Sequence, residues 1–344
     1  MKRYMIPMAT LALVAACQDS TGPGPEAALE RGLPRPQAAA PSLEPTGSGA
    51  ALTQRHLWAV VNLNGTLASG SRVTSVTYLG VGRYEVTFDR NVSGCAYIAT
   101  TKNAYSQALG IFTAGGHLSA NGVYVETKNQ GGGLTDGPFN LLVACGPLST
   151  RFAVVGYSAD LVRATAGTTL TPLGFGRYNV RFPSSVAGCA YLATVADPSN
   201  ALVFNPSGVY TGKGPDARTV YIETKNPGGG LQDGVPFHLA IICPGTSSAR
   251  FAVVKASGLP HRASIGSSTT RTSTGNYRIT SNIDISACAA LATRGSVNTA
   301  VPFSPATVEI LPGPTPKSFA VQVRQLLFFG GALANQAFHT AVIC

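Results

Sequence analysis

Apolar and polar residues alternate through Arg83-Tyr84-Glu85-Val86-Thr87-Phe88, and Arg177-Tyr178-Asn179-Val180-Arg181-Phe182 repeats the pattern. A period of two is that of a β-strand with one buried face. Leu79-Gly80-Val81-Gly82 and Leu173-Gly174-Phe175-Gly176 precede these runs and read as hairpin connections. Further on, Phe237, Leu239, Ile241 and Cys243 share one face of another strand. No segment sustains a helical period, so the pattern predicts an all-β chain.

The pattern occurs three times. Copies open with Trp58-Ala59-Val60-Val61, Phe152-Ala153-Val154-Val155 and Phe251-Ala252-Val253-Val254, 94 and 99 residues apart. In the middle stand Gly94-Cys95-Ala96-Tyr97-Ile98-Ala99-Thr100, Gly188-Cys189-Ala190-Tyr191-Leu192-Ala193-Thr194 and Ala287-Cys288-Ala289-Ala290-Leu291-Ala292-Thr293. The copies close at Cys145, Cys243 and Cys344. This spacing is of domain size. It predicts β-domains over 56–147, 150–245 and 249–344, as three beads on a string. Seven or eight short strands fit each copy. Three tandem small β-sandwiches of immunoglobulin-like proportions are expected, with a small barrel as the alternative.

The N-terminus carries a different signal. Met1-Lys2-Arg3-Tyr4 is basic, and the apolar stretch over 6–16 is shorter than the roughly 20 residues a membrane helix needs. Val14-Ala15-Ala16-Cys17 resembles the lipobox of bacterial lipoproteins. That resemblance implies a signal peptide over 1–16, removed in the mature protein, and a diacylglycerol on Cys17. It places the chain outside the cytoplasm, anchored by lipid to a bacterial membrane, with the outer membrane or cell surface as the expected site. An ordinary secretory signal is the competing reading. Residues 17–55 are rich in Pro, Gly, Ala and Ser and read as the lipidated cysteine and a disordered linker. A flexible chain of that length averages roughly 35 Å end to end.

In an exported chain the six remaining cysteines read as disulfides. The repeat selects Cys95 with Cys145, Cys189 with Cys243 and Cys288 with Cys344, one bridge per copy. A loop of about 50 residues closed in this way gains roughly 4 kcal/mol in the chain-entropy model.

The formal net charge is +10 and is uneven. From residue 250 onward there are eight basic side chains against only Asp284 and Glu309. Arg262, Arg271, Arg278, Arg294 and Arg324 are therefore candidate ligand-binding residues for a polyanion such as lipopolysaccharide, teichoic acid or nucleic acid. Simple solubility explains the same charges. No specific nucleic-acid motif is present.

Trp58-Ala59-Val60-Val61-Asn62-Leu63-Asn64-Gly65-Thr66-Leu67-Ala68 and Asn91-Val92-Ser93-Gly94-Cys95-Ala96-Tyr97-Ile98-Ala99-Thr100 resemble an uncharacterised tandem β-domain of secreted bacterial proteins. The resemblance covers residues 57–344 and implies no activity. Among chemical motifs, the segment over 124–137, repeated over 221–234, offers Glu126, Asn129 and Asp136 as oxygen ligands for Ca²⁺. Its spacing matches no calcium loop, Lys128 opposes a cation, and a strand followed by a glycine turn accounts for it. Gly80-Val81-Gly82 leads into a strand, not the helix a phosphate loop needs. His238 and His339 share a repeat position that holds Asn140 in the first copy, and a solvated or hydrogen-bonded polar side chain explains them. No nucleophile motif accompanies them. Tyr97, Tyr105, Tyr124, Tyr191, Tyr210 and Tyr221 suit either a sugar-binding face or strand packing.

The expectation is an extracytoplasmic surface protein without catalysis, metal or cofactor. Its beads would serve adhesion, ligand binding or envelope structure, and their ligand would be an envelope polymer, a glycan or a protein. A secreted hydrolase on a β scaffold is the alternative from another class.

Overall fold

The computed structural model describes residues 56–344 apart from 103–109, 130, 147–149, 201–206, 246–248, 265, 300, 302–305 and 327–330. The expected signal peptide, the lipidated Cys17, the linker to residue 55, and Tyr105 lie outside the described residues. Every regular element among the described residues is a β-strand.

Copy 1 contains β1 (Leu57–Val61), β2 (Leu67–Ser71), β3 (Val73–Gly80), β4 (Arg83–Phe88), β5 (Ala96–Thr101), β6 (Gly110–Gly115), β7 (Gly122–Lys128) and β8 (Phe139–Ala144). These form two antiparallel sheets, β2-β1-β8-β5 and β3-β4-β7-β6. Copy 2 repeats this with β9 (Thr150–Val155), β10 (Leu161–Ala164), β11 (Thr169–Gly174), β12 (Arg177–Arg181), β13 (Ala190–Val195), β14 (Gly208–Lys213), β15 (Thr219–Lys225) and β16 (Phe237–Ile242). Copy 3 has β17 (Ala249–Val254), β18 (Pro260–Ala263), β19 (Ser267–Ser273), β20 (Asn276–Ser281), β21 (Ala289–Arg294), β22 (Ala306–Pro312), β23 (Ser318–Gln325) and β24 (Phe338–Ile343), in the same order.

The two sheets of each copy enclose a core built from alternate residues, as the period of two requires. In copy 1, Tyr84, Val86 and Phe88 of β4 meet Leu57, Ala59 and Val61 of β1 and Phe139, Leu141 and Val143 of β8. In copy 2, Phe237, Leu239 and Ile241 face the core, as their spacing predicts. The three disulfides join Cys95 to Cys145, Cys189 to Cys243 and Cys288 to Cys344.

The three sandwiches are not separate beads. The described residues of all three copies belong to one compact unit. The residues that face away from each sandwich core on the first sheet build a fourth core shared by all copies. It holds Trp58, Ile98 and Leu142 from copy 1, Phe152, Leu192 and Ile242 from copy 2, and Phe251, Leu291 and Ile343 from copy 3. The first sheet of each copy is thus an inner layer covered on both faces, and the second sheet is the outer layer. A strand covered on both faces needs apolar residues at successive positions. Ala96-Tyr97-Ile98-Ala99 and its counterparts supply them.

β5, β13 and β21 are edge strands of the inner sheets. A free strand edge exposes unpaired N–H and C=O groups. Here the next copy covers it, and the pattern closes into a ring. Thr194 Oγ1 accepts from Ala99 N (2.9 Å) and donates to Ala99 O (3.2 Å). Thr293 does the same for Ala193 (2.8 and 3.1 Å). Thr100 does it for Ala292 (3.0 and 3.1 Å), which joins the last copy to the first. Parallel bridges follow the same cycle, at Thr113 with Ala196, Thr211 with Gly295, and Ile310 with Lys102.

Candidate functional site

Near-threefold repetition makes each junction a control for the others, and one junction differs. Between copies 1 and 2, Tyr97 N donates to His238 Nδ1 (2.8 Å). Arg163 donates through Nε to Cys95 O (3.0 Å) and lies 5.8 Å from the Tyr97 ring centre. The Tyr97 hydroxyl donates to Val92 O inside its own sandwich (2.9 Å). Between copies 2 and 3 the set recurs. Tyr191 N donates to His339 Nδ1 (2.9 Å), Arg262 Nε to Cys189 O (2.7 Å), and the Tyr191 hydroxyl to Val186 O (3.1 Å).

Between copies 3 and 1 all three side chains are replaced. The repeat register puts Ala290 where the tyrosines stand, Asn140 where the histidines stand, and Ser69 where the arginines stand. Asn140 Nδ2 donates to Ala290 O (2.7 Å), so it serves a different backbone atom from the histidines. Among the described residues no side chain takes the place of arginine on Cys288 O or of histidine on Ala290 N. Ile285 O, the counterpart of Val92 O and Val186 O, accepts from Cys288 N (3.1 Å) but from no hydroxyl.

A cavity of about 390 Å³ opens at this junction. Ile285, Cys288, Ala290 and Phe319 line it from within copy 3, the run over 312–316 borders it, and Lys102 and Asn140 reach it from copy 1. Phe319 stands where copies 1 and 2 have Val123 and Val220. It therefore refills part of the volume that the missing ring leaves. Lys102 is half-buried, and burial pulls its amine below the usual lysine range. Its amine has no hydrogen-bond or ion-pair partner among the described residues.

The five arginines proposed from the sequence do not form one surface. Arg262 is held in the junction between copies 2 and 3. Arg294 is 3% exposed and lies 5.9 Å from the Tyr210 ring centre. Burial brings its guanidinium down to about 10, and none of its three nitrogens has a hydrogen-bond partner. Arg324 is half-buried, with Nη2 on Gln322 Oε1 (2.6 Å) and Nη1 on Gly331 O (3.4 Å). Arg271, whose Nη1 donates to Ala256 O (3.3 Å), and Arg278 are exposed.

The oxygen groups of the segment over 124–137 go to separate protein donors. Glu126 pairs with Lys128 Nζ (2.8 Å) and accepts from the Tyr124 hydroxyl (2.9 Å). Asn129 Oδ1 accepts from Gly131 N and Gly133 N of the glycine turn. Asp136 Oδ1 accepts from Gly82 N (2.7 Å). Gly82 has φ 67°, and a Cβ there would lie 2.5 Å from Thr127 O, so the hairpin requires glycine. Among the described residues no cluster of three or more His, Cys, Asp or Glu is placed to hold a metal.

His238 and His339 are fully buried, so the hydrogen-bonded reading of that position is the one realised, and the bonds lie between copies. Burial holds His238 well below the usual histidine range, and the positive Arg163 adds to the effect. The same two influences, with Arg262 as the cation, bring His339 to about 3. Both rings are neutral at physiological pH.

No family model, curated protein or solved structure matches this chain.

Proposed function

We propose that this chain is an exported, lipid-anchored binding protein of a bacterial envelope, and that its ligand site is the cavity between copies 3 and 1. Export is supported by the basic and apolar leader and by three disulfides, which belong to oxidising compartments. The small residues before Cys17 support lipid attachment, and the linker to residue 55 would give the folded part reach from the membrane. The observation that carries the binding role is the local failure of the repeat. Two junctions are filled by Tyr, His and Arg, whereas the third has Ala290 and Asn140 on a cavity of about 390 Å³, and Ser69 at the repeat position of the arginines. That volume lies within the range of small-molecule sites. Repetition of a fold supplies the scaffold, and divergence of one copy supplies the site.

The charges of copy 3 lend less support to a polyanion surface, because Arg262, Arg294 and Arg324 are engaged or enclosed. The test has two parts. Membrane fractionation of cells expressing the Cys17→Ser variant should move the protein from the membrane to the soluble fraction, and retention in the membrane would remove the anchor. A thermal-shift screen of the mature chain against small metabolites, glycans and envelope polymers should return a small-molecule ligand whose binding changes little with salt. A polymer ligand with steep salt dependence, or turnover of any compound, would contradict the proposal.

A further inference from the structure

We infer that the cavity between copies 3 and 1 takes a small phenolic carboxylate, with its ring in the part of the tyrosine's space that Phe319 leaves open. This rests on the reading of that cavity as the ligand site and adds the chemistry of the ligand.

The two intact copies show what the space accommodates. Tyr97 and Tyr191 are each almost wholly buried, and each hydroxyl donates to the carbonyl that precedes the disulfide turn, Val92 O or Val186 O. In copy 3 the same carbonyl, Ile285 O, keeps its bond from Cys288 N and lacks the phenol. Deleting a buried ring leaves an apolar hollow whose walls have lost their contact partners. Apolar hollows of this kind bind aromatic molecules. Ile285, Ala290 and Phe319 provide such walls.

The polar groups around the cavity define the rest of the ligand. Ile285 O is an acceptor and selects a hydroxyl on the ring. Ala290 N–H is a donor whose counterparts in the other copies are paired with imidazole. The Lys102 amine is a second donor, half-buried and unpaired. Two donors, one of them cationic, select a carboxylate. A ring hydroxyl at one end and a carboxylate at the other describe the 4-hydroxyphenyl carboxylic acids. The free phenol lacks the second feature and phenylacetate lacks the first.

Titration calorimetry of the mature chain with 4-hydroxyphenylacetate, phenol and phenylacetate tests the inference. The first compound should bind best. Phenylacetate should bind roughly three- to tenfold more weakly for want of one hydrogen bond. The Lys102→Gln variant should weaken 4-hydroxyphenylacetate by roughly tenfold while leaving phenol unchanged. Ala290→Tyr should abolish binding of all three, because the protein then supplies its own ring. If the introduced ring overfills the space beside Phe319, the double variant Ala290→Tyr/Phe319→Val restores the pairing found in copies 1 and 2 and provides the same readout.

Unchanged binding of 4-hydroxyphenylacetate in both tyrosine variants would overturn the site itself. If no phenolic compound binds, but a ligand of other chemistry is displaced by Ala290→Tyr, the cavity stands as a ligand site and the phenolic assignment falls.

Discussion

Acid should loosen this protein through two histidines. His238 and His339 each accept a backbone N–H at Nδ1, at 2.8 and 2.9 Å. The ring proton must therefore sit on Nε2. Charging the ring puts a second proton on Nδ1, facing a donor that has no other partner. The folded protein resists this, with His339 lowered to about 3 and His238 well below 6.5. An unfolded chain has no such constraint and takes up the proton near 6.5. Because the folded values lie below the unfolded one, the unfolded state holds more protons between these limits, and stability falls as pH falls through 6.5. At pH 5, about 1.5 pH units below the unfolded value, the lowered His339 costs about 2 kcal/mol. His238 adds a cost of the same sign. Arg163 beside His238, and Arg262 and His261 beside His339, act in the same direction by opposing a further positive charge. His56, also buried and lowered, adds a background that the comparison retains. Asparagine is the natural replacement, since Asn140 occupies this position in copy 1. Urea denaturation at pH 8 and pH 5 should show the wild type losing more than about 2 kcal/mol beyond the loss of His238→Asn/His339→Asn. Equal losses in the two proteins would refute the assignment of acid sensitivity to these junctions.

Two further outcomes follow from the closed ring. Thr194→Val keeps the shape but leaves Ala99 N and O without their buried partner, and should cost about 1–3 kcal/mol by thermal denaturation. Thr100→Val and Thr293→Val should match it, because the three bonds are equivalent; a neutral effect at all three would contradict the ring. Removing one bridge as Cys189→Ala/Cys243→Ala should cost roughly 4 kcal/mol, and calorimetry should show the whole transition moving down. Melting of copy 2 alone would contradict a shared core.

Much of this architecture was readable from spacing. The period of two gave β4 and β12, the repeat gave the cysteine pairing, and the glycines gave the β3–β4 and β11–β12 hairpins. The association of the copies was also written in the chain, in a form that reading one strand at a time passes over. Leu57-Trp58-Ala59-Val60-Val61 and Ala96-Tyr97-Ile98-Ala99 do not alternate, and a strand without a polar face has no side to give to water. Treating the copies as separate left those second faces without a partner. The candidate site was visible only as scattered departures from the repeat. Ala290 in place of tyrosine and Asn140 in place of histidine are far apart in sequence, and Ser69 can be aligned with Arg163 and Arg262 only through the pairing of β2, β10 and β18. Closure of the ring brings Ala290 and Asn140 together. The arginines show the converse. Composition reports charge but not burial, and Arg294 is enclosed.

The central claim is that the three copies are one body around a common core. Scanning calorimetry of the mature chain, with its disulfides intact, tests it most directly. The account predicts one transition whose calorimetric and van't Hoff enthalpies agree. Three resolved transitions, or a van't Hoff enthalpy near one third of the calorimetric value, would mean that the copies fold alone and that neither the shared core nor the cavity at the third junction exists in solution.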